Sequence, residues 1–186
     1  MKRLVIITVG KTHSGKTTFA RALEQELSNS LVIDQDNHAE FINTYYKPLL
    51  PKQGPNTIKY AISKTIVDYA ICHTNFHLVL CNSNRSRQDR LTLLEHFHRK
   101  GFMSIIVNFD IPDPILQTRI SESQRPTTVF RSATTFEEVL IRQEADSSNP
   151  DVMPPTDGES VHLFVIKKSE DVQSVIRSIV DISHNL

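Results

Sequence analysis

At 186 residues the chain is long enough for one domain with a sizeable core and too short for two comfortable ones. Its 21 Lys and Arg balance 21 Asp and Glu, which argues against a broad electrostatic surface for duplex nucleic acid and leaves room for a local basic site. Cys72 and Cys81 are neither a disulfide framework nor a metal-ligand spacing and read as reduced, buried thiols; with no signal segment at the start and no apolar run long enough to span a bilayer, a soluble cytoplasmic protein is expected.

Residues 4–9 (LVIITV) are a near-continuous apolar run rich in β-branched side chains, as a strand buried on both faces requires. Gly10-Lys11-Thr12-His13-Ser14-Gly15-Lys16-Thr17 follows at once and matches G-x-x-x-x-G-K-[ST] at every fixed position. Glycines let the backbone curl into a nest of inward N–H groups that suits phosphate oxygens, Lys16 adds a point charge, and Thr17 offers a hydroxyl to Mg²⁺. Phe19, Ala20, Leu23 and Leu27 then recur at helical spacing, so the N-terminus of the helix after the loop aims its positive dipole end at the same place.

Residues 31–33 form a second short strand ending in Asp34-Gln35-Asp36, carboxylates that fall on the phosphate side if the sheet is parallel. A helix-like cluster over 37–50 (Phe41, Ile42, Tyr45, Tyr46) stops at Pro48 and Pro51, and 51–55 is a loop. Residues 57–73 show a good 3.6 period, 76–81 a third strand closing on Asn82-Ser83-Asn84, and 86–100 an amphipathic helix with Gly101 placed as its C-terminal cap. The fourth strand is 102–109. A helix over about 113–120 leads into a polar segment, 121–132; Arg119, Arg125 and Arg131 punctuate this stretch. Thr135-Phe136-Glu137-Glu138 reads as a capping box opening a helix to about 146. A turn-rich connection over 147–160 precedes a fifth strand, 161–166, and Ser169 can cap a closing helix over 172–182 with Asp171 in its first turn.

Strands alternating with helices call for an α/β three-layer sandwich: a five-stranded parallel sheet with helices on both faces. Residues 1–186 are expected to be one P-loop domain, with acceptor-side helices over about 37–75 and a short lid over about 119–133. No guanine-specifying N-K-x-D or T-K-x-D follows a late strand, and no long apolar strand ends in Asp-Glu beyond the loop, so a switch GTPase and a motor ATPase are both disfavoured. The eight histidines include no H-E-x-x-H set, and His96 and His98 face different sides of a helix.

Phosphoryl transfer to an acceptor needs a group that orients a hydroxyl and takes its proton, and cations that oppose the charge spreading over the transferring group. Asp36 suits the first task and Arg119 and Arg125 the second. The bland alternatives are that Asp36 is only a helix cap and the arginines only solvated charges.

On these residues the chain resembles the P-loop kinase group that includes polynucleotide 5′-kinase domains, zeta-toxin-type kinases and chloramphenicol phosphotransferase-type enzymes, over roughly residues 1–146. The resemblance places the family's general base on Asp36, its pattern after strand three on Asn82 to Leu91, and its arginine lid on Arg119 and Arg125. It implies ATP and Mg²⁺ as cofactors. Asn82 stands where the family usually has an aspartate, so a carboxylate behind the metal is either missing or supplied by Asp34. Ala39 replaces the arginine with which polynucleotide kinases hold the acceptor phosphate. The expected activity is an ATP-dependent kinase acting on a small hydroxyl acceptor between the loop and residues 37–59, with Arg85 and Arg90 as contributors. A nucleoside, nucleotide or polynucleotide kinase and a regulatory nucleotide-binding module remain the alternatives; the acceptor and the oligomeric state are not specified.

Overall fold

In the computed structural model, which describes residues 2–131 and 133–186, the strands are β1 (Arg3–Val9), β2 (Ser30–Asp34), β3 (His77–Cys81), β4 (Phe102–Phe109) and β5 (His162–Ile166). They form one five-stranded sheet in the order β2-β3-β1-β4-β5, with every pairing parallel. Met1, where the resemblance begins, and Ser132, inside the expected lid, lie outside the described residues.

The apolar run of β1 is continuous because both its faces are covered. Leu4 and Ile6 pack into one core with α1 (Lys16–Glu26), α5 (Asp113–Ser121), α6 (Phe136–Ala145) and α7 (Asp171–His184). Val5, Ile7 and Val9 pack into a second core on the opposite face, with α3 (Thr57–His73) and α4 (Arg87–Arg99). The remaining helix, α2 (Gln35–Tyr45), joins neither layer; it packs against α3 and the 3₁₀ turn Thr127–Val129. Among the described residues no helix is long and apolar enough to cross a membrane.

A parallel sheet brings every strand's C-terminus to one side, so the loop after β1, Asp34 at the end of β2 and Asn82 after β3 converge. The strand order reverses at β1, where a ligand crevice is expected in an open α/β sheet.

Several element ends differ from the sequence reading for local reasons. The helix expected from residue 37 begins at Gln35, because the Asp34 carboxylate accepts the Asp36 N–H at 2.9 Å and so caps it. The same helix ends at Tyr45, and Pro48 sits in a separate 3₁₀ turn, Lys47–Leu49. Ser169 does not cap the closing helix; the Asp171 carboxylate accepts the N–H groups of Lys167 and Lys168 instead, at 2.9 and 3.1 Å. Thr135 does cap α6, and Gly101, at φ +80°, ends α4 as expected. Cys81 is buried but Cys72 is exposed, so only one of the two thiols is a core residue.

The connection from 147 to 160 is anchored by Arg90, whose side chain is fully buried. Its guanidinium donates to both carboxylate oxygens of Glu159 (3.0 and 3.2 Å) and to the carbonyls of Asn84 and Arg85 (3.1 and 2.8 Å). Arg90→Met leaves the buried Glu159 carboxylate with only the half-exposed Arg87 at 3.7 Å and its bonds from Thr156, and is expected to destabilise the fold by about 3 kcal/mol or more. In thermal denaturation that is a drop on the order of 10 °C, and Arg90→Met with Glu159→Gln should recover part of it. A loss under 1 kcal/mol for the single variant would show that the pair does not hold this connection.

Candidate functional site

The loop after β1 takes its shape from backbone that ordinary side chains avoid. Gly10 has φ +150°, and a Cβ there would lie 2.9 Å from Phe109 Cβ and 3.0 Å from Ser14 Oγ. Gly15, at φ +100°, is the N-cap of α1, and His13 adopts φ +56° although it is not glycine. The loop thus curls into a nest at the N-terminus of an 11-residue helix. Gly10 N–H is tied to the Ser83 carbonyl at 3.0 Å, joining the loop to the end of β3.

Lys16 folds its ammonium back into this nest, donating to the Lys11 carbonyl and, at 3.2 Å, to Ser14 Oγ. Burial pushes its pKa down to about 8; Arg125 adds to that effect, while the Asp36 and Asp34 carboxylates oppose it. The Lys11 side chain pairs with Asp113 at 2.7 Å, and its backbone carbonyl accepts from Lys16. Thr12 donates its N–H to Gln143 Oε1 at 2.7 Å. The His13 imidazole packs edge-on against Phe136, with ring centroids 4.6 Å apart. Burial and the nearby Arg125 and Lys16 charges lower its pKa, and its Nε2 has no hydrogen-bond partner among the described residues.

Thr17 Oγ1 donates to Asp34 Oδ2 at 3.0 Å. A hydroxyl and a carboxylate side by side at the root of the loop are hard oxygen donors of the kind Mg²⁺ takes. Asn82 contributes differently: its amide donates to Gln35 Oε1 at 2.9 Å, and its own oxygen accepts the Ser83 N–H. Cys81 Sγ lies 3.5 Å from Thr17 Oγ1, and burial raises its pKa to about 11, so the thiol stays neutral at pH 7.

Asp36 is not the cap of α2. It lies in the first helical turn and accepts from Arg125 Nη2 at 2.7 Å, across 89 residues of sequence. The Arg125 guanidinium also lies 5.3 Å from the centroid of the Phe136 ring. Arg119 sits on the last turn of α5, outside the irregular lid segment, and donates to the His13 carbonyl (3.2 Å) and to Ser169 Oγ (3.4 Å).

These groups line one cleft of about 750 Å³, from Thr12 to Thr18 through Asp34, Asp36, Arg119 and Arg125. Gly10 and Lys11 of the loop are not among its lining residues, and neither are the expected acceptor contributors Arg85 and Arg90. Arg85 donates to the Gln143 carbonyl and to Ser147 Oγ, both at 2.7 Å, and Arg90 is buried against Glu159. Both arginines brace the backbone behind the site and do not face a ligand. The cleft also gains residues that no spacing in the sequence marks: Phe136 and Gln143 from α6, and Lys168, Ser169 and Val172 around the start of α7. Thr12 and Gln143 are 131 residues apart, so only packing could have joined them. Among the described residues there is no cluster of His, Cys, Asp and Glu arranged to hold a metal by itself.

Residues 5–146 match a family model described as an AAA domain. No curated protein sequence matches the chain. Among solved structures, the chain is similar to Kti12 from Chaetomium thermophilum in complex with ADP-AlF3, with TM-score 0.63, 16% identity, and 95% of this chain and 97% of that one covered. It is also similar to Mycobacterium tuberculosis APS kinase in complex with AMPPNP and APS (TM-score 0.60, 15% identity, 98% of each chain). Shikimate kinase from Bacteroides thetaiotaomicron gives TM-score 0.56 at 12% identity, over 97% of this chain and 98% of that one. At these identities the likeness is one of fold: the parallel α/β sandwich of P-loop proteins over nearly the whole length.

Proposed function

Because the chain belongs to the AAA domain family, a family of P-loop proteins, we propose that it is an ATP- and Mg²⁺-dependent kinase acting as a single cytoplasmic domain on a hydroxyl of a small acceptor. The observation that carries this reading is the Asp36–Arg125 pair in the same cleft as the phosphate loop. A carboxylate facing a lid arginine at a nucleotide's terminal phosphate serves transfer; simple nucleotide retention needs neither.

The backbone from Gly10 to Thr18 and the Lys16 ammonium hold the phosphate chain. Thr17 and Asp34 would hold Mg²⁺, which when bound neutralises charge on the phosphates. The base lies toward Lys168, Ser169 and Val172, beneath Arg119. Asp36 accepts the acceptor's hydroxyl proton as its oxygen bonds to the γ-phosphorus. The bond from that phosphorus to the bridging β–γ oxygen breaks, and ADP leaves. Arg125 and Arg119 meanwhile oppose the charge on the transferring group. Arg125 can turn from Asp36 to the phosphate at small expense, because the pair is exposed by 32% and 45% and exposed pairs contribute about 0–1 kcal/mol.

The test is transfer of label from γ-³²P-ATP to a fractionated metabolite pool in the presence of Mg²⁺. A labelled product in at least one fraction is expected. Slow release of inorganic phosphate with no labelled product would instead favour a regulatory nucleotide-binding module.

One surface favours a second reading, a polynucleotide acceptor. Residues 41–67 hold four lysines and no acid, and Tyr45, Tyr46 and Tyr60 are exposed among them, a pairing of charge and stacking surface suited to single strands. A 5′-hydroxyl oligonucleotide in the acceptor panel separates the two readings.

A further inference from the structure

A second cavity, of about 390 Å³, lies between α3 and α4 at the C-terminal ends of β2 and β3, outside the region where the sequence placed the acceptor. Its body is apolar, built by Ile33, Val67, Leu80 and Leu93. Its inner end is polar and touches the nucleotide cleft: Cys81 and Asn82 line both spaces. Asn82 is bonded there to Gln35, the neighbour of Asp36 in the chain.

We propose that this cavity is the acceptor subsite and that it takes an uncharged molecule with an apolar or aromatic body and one hydroxyl that reaches past Cys81 and Asn82 toward Asp36, which lines the adjoining nucleotide cleft and not the cavity; the assignment rests on the kinase reading above. Three observations select that chemistry. The volume suits a small molecule and is far below what a polymer needs. Lys64 is the only lysine or arginine among the described lining residues, and it is paired with Asp68. Asp89 adds a further carboxylate and His96 an imidazole, so among the described lining residues no unpaired lysine or arginine meets a phosphorylated or carboxylate acceptor. Arg85 and Arg90, expected as contributors to acceptor binding, are both committed to other partners. The Asn82–Gln35 bond also gives a use to the asparagine at a position the resemblance expects to be aspartate. A second carboxylate at that point would face the incoming hydroxyl's apolar body, whereas an amide pairs with Gln35 and leaves no charge.

The test uses the full chain and reads the cavity without nucleotide first. Methyl NMR of Val67, Leu80 and Leu93 is followed on addition of benzyl alcohol, 2-phenylethanol or 1-naphthalenemethanol, and of glucose 6-phosphate or ribose 5-phosphate. The neutral alcohols are expected to shift these methyls saturably and the sugar phosphates to leave them unmoved. Thr92→Trp, at an exposed α4 position on the rim, should weaken that binding at least about tenfold; Val67→Phe fills the same space from α3 if the tryptophan folds away. In the labelling experiment, the metabolite pool is first split on an anion exchanger. Acceptor activity should stay with the neutral fraction and fall about tenfold or more in Thr92→Trp. Acceptor activity in the anionic fraction, unchanged transfer in both variants, or sugar phosphates outcompeting the alcohols at the cavity methyls overturns the proposal. Alcohols that bind the cavity while no fraction accepts label would instead defeat the kinase reading, and the acceptor role with it.

Discussion

Lys16→Ala is expected to weaken binding of ATP by about a hundredfold to a thousandfold and to leave binding of adenosine nearly unchanged. The ammonium lies inside the nest, and its bonds to Lys11 and Ser14 show how closely the loop surrounds it. Charge-assisted hydrogen bonds of this kind contribute about 1.5–3 kcal/mol each, and a tenfold change in affinity is about 1.4 kcal/mol, so the loss of one or two gives the stated range. Calorimetric titration with ATP, ADP and adenosine measures it. Equal losses for the triphosphate and the nucleoside would place the phosphates elsewhere.

The same lysine makes binding depend on pH in a defined direction. Burial holds its pKa in the empty loop at about 8, against an ordinary value of 10.5. Between these values the unfolded chain carries more protons than the folded one, so the nucleotide-free protein gains stability as pH rises through that window. A bound triphosphate favours the charged ammonium and raises its pKa, so binding takes up a proton above pH 8 and affinity falls as pH rises. The decline approaches about tenfold per unit before the raised pKa is reached. Lys16→Ala should remove both dependences, read as ATP affinity and melting temperature at pH 7, 8 and 9. An affinity flat across that range in the unmodified protein would contradict the depressed pKa.

Asp36→Asn is expected to lower phosphoryl transfer to the true acceptor by about a hundredfold or more, the range for a lost general base. ATP affinity and stability should hardly move. Asparagine keeps the size and the acceptor oxygen facing Arg125, and the ion pair it replaces is exposed enough to contribute about 0–1 kcal/mol. Asp34 and not Asp36 caps α2, so the helix start is not disturbed. Single-turnover rates with bound ATP separate the chemical step from nucleotide binding. Unchanged turnover would remove Asp36 from the reaction and leave its pairing with Arg125 as a hinge for the lid.

The parts of the molecule legible in the sequence are those whose signal is local. The apolar run before Gly10, the helical spacing after Thr17, and each later alternation of short apolar run and amphipathic segment report on neighbours within a few residues. Those neighbours set helix or strand directly through side-chain period. The same holds for the loop: its glycines, Lys16 and Thr17 act within one turn of chain, so a matching string is nearly a matching shape.

Only the tertiary structure decided which charges face the cleft. Arg85, Arg90, Arg119 and Arg125 look alike in sequence, yet Arg90 is buried against Glu159, Arg85 braces α6, and Arg125 reaches Asp36. Gln143 at the phosphate loop, the exposure of Cys72 and the apolar cavity between α3 and α4 were equally invisible beforehand. The physical reason is common to all of them. A long side chain's partner is chosen by how helices pack across a sheet, from groups tens to more than a hundred residues away. The sequence by itself determined the order of strands and helices and a loop shaped for phosphate; packing determined the cleft's cations and the apolar cavity beside it.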